Sequence, residues 1–165
     1  LYTAIAPHYA YQMLLLSPSN YGYWNLLNML GMLGSGFVSQ WAMKRFDPQQ
    51  VITGCMIALV PLLISLLAMG MFHYNHVLSF FIITCAMYLV TGVIYAPAAF
   101  LASNSITDTA NASSMMSFIN IGVAMLCVVL GGYVPLAPIY AMFVVMCTFC
   151  VVSAVLFFLS QLKRQ

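Results

Sequence analysis

The sequence predicts an all-α fold: a polytopic membrane helix bundle with six transmembrane helices. Three observations lead there. Hydrophobic residues make up 64% of the 165 residues and charged residues 4%, whereas a water-soluble domain carries about a quarter charged residues to cover its surface. The apolar residues gather into six runs near the length of about 20 that crosses hydrocarbon, where a helix satisfies its own backbone hydrogen bonds. Short stretches of turn chemistry separate the runs, and every charged side chain lies outside them.

The first run, 2–16, contains Pro7, which would kink it, and His8 and Gln12 one turn apart. It lacks a basic leader, a small-residue cleavage site and an initiating Met, so it does not read as a signal peptide. The chain is expected to start part-way through a helix, as a fragment or one half of something larger. After the turn "SPSN", the second run, 21–43, carries Tyr21, Asn25, Asn28, Met32, Ser35 and Ser39 at alternating steps of four and three, which is one helical face. Gly31 and Ser35 on the same run form a small-xxx-small pair, which suits close helix packing or a gating hinge.

In the hairpin "KRFDPQQ", Lys44 and Arg45 close a helix C-terminus, where cations favour the dipole, Asp47 follows, and Pro48 suits the next helix start. The third run, 51–72, offers only the hydroxyls of Thr53 and Ser65, which can bond back to their own helix. "HYNH" separates it from the fourth run, 77–101, where Thr84, Tyr88, Thr91 and Tyr95 share one face. Pro97 there has no N–H for the carbonyl of Val93, which predicts a kink, with Gly92 allowing adjustment. "SNSITDTAN" contains Asp108, which is expected to cap the fifth helix or to pair with Lys44 or Arg45. The fifth run, 113–130, lines up Ser113, Ser117 and Asn120. The sixth, 136–160, has only Thr148 and Ser153, so the third and sixth runs read as lipid-facing.

Loops after the even-numbered runs hold all four basic residues, Lys44, Arg45, Lys163 and Arg164, and loops after the odd-numbered runs hold none. The tendency of cytoplasmic loops to be basic then puts the hairpin and the C-terminus in the cytoplasm.

Polar groups inside spans are costly in lipid and normally face a bundle interior or a cavity. Runs one, two, four and five each present one polar face. These faces either hold helices together or line a shared cavity, and the sequence favours a cavity of Asn25, Asn28, Tyr88, Tyr95, Ser117 and Asn120, bordered by His8 and Gln12. With no Asp, Glu, Lys or Arg in any run, an intramembrane enzyme is not expected. "CTFC" at 147–150 lies in an apolar run without an electropositive neighbour, which argues against redox or zinc chemistry. No metal, cofactor or nucleic-acid partner is expected. A non-transport membrane subunit remains the alternative to a transporter.

Six spans with bland third and sixth members resemble the C-terminal half of a major facilitator superfamily transporter. "YTAIAPHYAYQ", "YGYWNLLNMLGMLGSGF", "TGVIYAPAAF" and "TANASSMMSFINIGVAM" are similar to the seventh, eighth, tenth and eleventh helices of its drug:proton antiporter branch, the Bcr/CflA type of multidrug exporter. The hairpin signature of that family departs here: Gly36 is followed four positions on by Gln40 rather than an acidic residue. The resemblance implies one half of a major facilitator fold in a bacterial inner membrane, partnered by an N-terminal six-helix half that carries the coupling acid for protons. It also implies alternating-access efflux of small lipophilic compounds, neutral or cationic because the spans hold no buried cation. Tyr88, Tyr95 and Trp24 are available for stacking or cation–π contact.

Overall fold

A computed structural model of the chain describes residues 2–72, 76–104, 109–133 and 138–162. It contains six helices and, among the described residues, no strand: α1 (Tyr2–Gln12), α2 (Pro18–Met43), α3 (Pro48–Met71), α4 (Val77–Ser103), α5 (Thr109–Tyr133) and α6 (Pro138–Leu162).

Proline and serine chemistry explains where the helices begin. Ser17 caps α2 by accepting the Asn20 N–H at 3.3 Å, and Pro18 occupies the first turn, where its missing N–H costs nothing. Pro48 starts α3 in the same way, although Asp47, at the cap position, makes no side-chain cap bond. These prolines bring the starts of α2 and α3 forward by three residues from the apolar runs, because hydropathy does not register a polar first turn. The first helix is shorter than its run: the Tyr9 carbonyl accepts the N–H groups of Met13 and Leu14, and Ala10 accepts Leu16, so the chain turns before the apolar residues are spent. Leu15 takes a left-handed conformation there, φ 52°, and lies exposed. Asp108, Lys163, Arg164 and the first three residues of "HYNH" lie outside the described residues, and with them the expected cap and cross-face ion pair. His76 precedes α4 at its cap position.

Among the described residues, three helical segments are long and apolar enough to cross a membrane: Pro48–Met71, Val77–Ser103 and Ile139–Phe157. The apolar part of α5, Ser114–Leu130, is shorter. Helix α2 has the length, with 26 residues, but Asn25, Asn28, Ser35, Ser39 and Gln40 dilute its hydropathy.

Helix α4 is central, packing on α2, α3 and α5, while α6 packs on α1, α3 and α5. The α2–α4 contact is the most extensive, followed by α3–α4. One core joins the C-terminal ends of α1 and α3 to the N-terminal ends of α4 and α6, through Ala6, Tyr9, Leu66, Met69, Phe80, Phe81, Ile139 and Met142. A smaller core of Ala42, Val51 and Val93 lies where α2 ends and α3 begins.

The third and sixth helices, read from the sequence as lipid-facing, have one bare apolar side each and also one packed side. Helix α3 buries Leu59, Leu63, Leu66 and Met69 and exposes Ile57, Val60 and Ile64; α6 buries Ile139, Ala141, Met142 and Val145 and exposes Val151, Val155 and Leu156. Each has one packed and one bare apolar side. Such helices are apolar all round, so no sequence period reveals which side packs. The helix with the least burial is α5: none of its described side chains is buried.

Candidate functional site

The strongest polar constellation forms where α2 meets α4. On α2, Asn28, Gly31, Ser35, Ser39 and Ala42 recur at steps of three and four and are all buried. Glycine at 31 and 92 is required by close approach: a Cβ at Gly31 would sit 2.6 Å from the Cys85 carbonyl oxygen, and one at Gly92 would collide with the Ser35 hydroxyl. The backbones are thus near enough for short polar side chains to reach across. The Thr84 hydroxyl donates to Asn28 Oδ1 at 3.0 Å, and Asn28 Nδ2 donates to Asn25 Oδ1 at 3.0 Å. Asn28 is 0% and Thr84 1% exposed. Further along, the Ser39 hydroxyl donates to the Val93 carbonyl at 3.3 Å. Ser35 instead donates within its own helix to Met32, and Thr91 likewise to Met87.

Beside the Asn28–Thr84 pair lies an aromatic cluster that sequence reading missed as a unit. Trp24 stacks on Phe81 with centroids 5.7 Å apart and planes 20° from parallel, and Tyr21 approaches the same ring at 6.0 Å. Phe80 meets Phe81 at 5.3 Å and Tyr9 of α1 at 4.9 Å, while Tyr11 reaches Tyr21 at 5.9 Å. The i, i+3 spacing of Tyr21 and Trp24 carried part of the signal; their convergence on α4 is tertiary. Trp24, expected to be available for a ligand, is engaged with Phe81.

The predicted cavity set therefore separates into two groups. Asn28 lies inside the α2–α4 contact, with Asn25 and Tyr88 half-buried beside it. Gly31, Ser35 and Gly92 belong to the same close contact, and Pro97 is buried further along α4. Tyr95, Ser117, Asn120, His8 and Gln12 are instead exposed. Helices α4 and α5, which carry Tyr95 and Asn120, pack on each other. Ser113 lies among side chains that are not described.

In the cytoplasmic hairpin of the sequence reading, Lys44 caps the end of α2, and the Arg45 guanidinium sits 4.8 Å from the centre of the Trp41 ring, a cation–π contact. Trp41 also meets Phe46 edge-on at 6.4 Å. These residues and Asp47 are exposed. Cys147 and Cys150 are half-buried free thiols, and among the described residues no cluster of three or more His, Cys, Asp or Glu is placed to hold a metal.

Comparison of the chain with protein-family models, with curated proteins and with solved structures yields no match.

Proposed function

We propose that this chain is a six-helix unit of a secondary active transporter that exports small lipophilic compounds, neutral or cationic, in exchange for protons. The observation that carries the reading is Asn120. It stands near the middle of α5, exposed, with Ser117 exposed about one turn earlier. An amide facing hydrocarbon without a partner costs roughly 2–7 kcal/mol, so a mid-helix Asn on the outside of a membrane bundle faces water or a second polar surface rather than lipid. Tyr95 on α4, which packs on α5, adds an exposed polar group, and His8 and Gln12 are exposed on α1. A cavity shared with a second helical unit accommodates all of these. Substrate contact is accordingly assigned to Asn120, Ser117, Tyr95, His8 and Gln12, with the half-buried Asn25 and Tyr88 at its edge. The coupling acid belongs to the partner unit, an N-terminal six-helix half. The basic hairpin and the C-terminus lie on the cytoplasmic side of a bacterial inner membrane, and the chain performs no covalent chemistry.

Asn28 and Thr84 favour the second reading, a non-transport membrane subunit, because their burial is explained by helix packing alone. Export measurements separate the two. In the complete transporter, Asn120→Leu and Tyr95→Leu should change which compounds are exported while the protein still inserts normally. Unchanged export profiles in both variants would refute the transport assignment.

A further inference from the structure

Pro97 lies inside α4 and has no N–H to give to the carbonyl of Val93, one turn earlier. That carbonyl is in a dry place: Val93 is 3% exposed, and it packs with Ala42 and Val51, half-buried Cys55 and Leu89 covering them. A buried carbonyl left without a donor is costly. The donor comes from the neighbouring helix, since the Ser39 hydroxyl, itself 3% exposed, points at Val93 O from 3.3 Å. Thr84 also donates across the seam, but to the Asn28 side chain rather than to a backbone carbonyl, and two other seam hydroxyls stay local. Ser35 donates to Met32 and Thr91 to Met87, each within its own helix. In α3, Ser65 donates to the Pro61 carbonyl, again locally.

We infer that Ser39 is an interhelical latch on the proline break of α4: its hydroxyl stands in for the N–H that Pro97 lacks and fixes the direction of the helix end that carries Tyr95. While the bond holds, the last turns of α4 move with α2. When it opens, the Val93 carbonyl loses that donor, and the Tyr95 end is less firmly tied to α2. The Gly92–Ser35 contact lies one turn from Ser39 and excludes any bulk that would separate the helices there. The latch is a property of the helix pair and does not rest on the transport reading.

A cycle of four proteins tests it: the purified full chain, Ser39→Ala, Pro97→Ala and the double variant, each followed by amide hydrogen exchange over residues 94–103 without any substrate. Ser39→Ala should speed exchange in this segment by about five-fold, the loss of one buried hydrogen bond. In the Pro97→Ala background the new N–H at 97 satisfies Val93, so adding Ser39→Ala should change nothing. Ser35→Ala, whose hydroxyl bonds within α2, should leave the segment as in the wild type. Equal acceleration by Ser39→Ala with and without Pro97 would overturn the latch, and so would no acceleration at all. Because the readout needs no transport, neither result bears on whether the protein exports anything.

Discussion

Two residues show how local chemistry and burial set opposite expectations for substitution. Leu15 holds a left-handed backbone, φ 52°, in the turn between α1 and α2, with its side chain exposed. A β-carbon in that region costs roughly 1–2 kcal/mol, and glycine avoids the cost. Leu15→Gly should therefore raise stability by about 1 kcal/mol, visible as a higher unfolding midpoint in detergent; a lower midpoint would show that the side chain makes contacts that outweigh the backbone strain. Asn28 is the reverse case. Its side chain joins Thr84 to Asn25 with no solvent contact, and where helices pack in a membrane an interhelical hydrogen bond is worth roughly 0.6–2 kcal/mol. Asn28→Leu should lower the midpoint, and Thr84→Val should lower it by a similar amount without adding to the loss in the double variant. Additive losses would mean the two side chains act separately.

The α2–α4 pair is the element on which the bundle depends. Its seam works because Gly31 and Gly92 admit a neighbouring backbone and side chain within contact distance. Gly31→Ala would drive its Cβ into the Cys85 carbonyl, a backbone atom that cannot swing aside, so a loss of about 2 kcal/mol or more is expected from overpacking. Gly36 on the same helix has nothing within 4 Å of its would-be Cβ. Gly36→Ala should instead stabilise by up to about 1 kcal/mol, the difference in helix propensity. Comparing the two in thermal unfolding isolates packing from propensity. A similar response of both variants would contradict the seam.

At the scale of the molecule, burial is concentrated at the end where α1 and α3 finish and α4 and α6 start, while α5 and the second half of α6 expose Phe118, Met125, Leu126, Val151 and Leu156. Apolar surface of this extent needs lipid or protein against it. The membrane orientation is testable by labelling single cysteines in intact cells: one at Ser19 should react with an impermeant reagent from outside and one at Gln49 should not, and the opposite pattern would invert the proposed topology. Coupling is tested on the same scale. The chain alone in liposomes should insert but accumulate no substrate under a pH gradient, because its described helices offer no buried carboxylate to carry protons. Gradient-driven uptake would mean that His8 suffices or that two copies assemble into a transporter.

The sequence by itself determined the number, type and approximate ends of the helices, because a run of apolar residues bounded by Pro, Ser and charge is a local property. It also placed Gly31, Ser35 and Ser39 on one face of α2, since helical period alone does that. It could not choose between cavity and packing for that face. An Asn reads the same whether it meets water or a Thr on another helix, and only the approach of α4 assigns Asn28 to Thr84 while Asn120 stays exposed on α5. The packed sides of α3 and α6 were equally hidden, since apolar residues all round a helix carry no directional signal. The donor for the Val93 carbonyl was also beyond local reading: Pro97 announced the vacancy, but Ser39 fills it from 54 residues away, and only the docking of two helices brings such partners within reach.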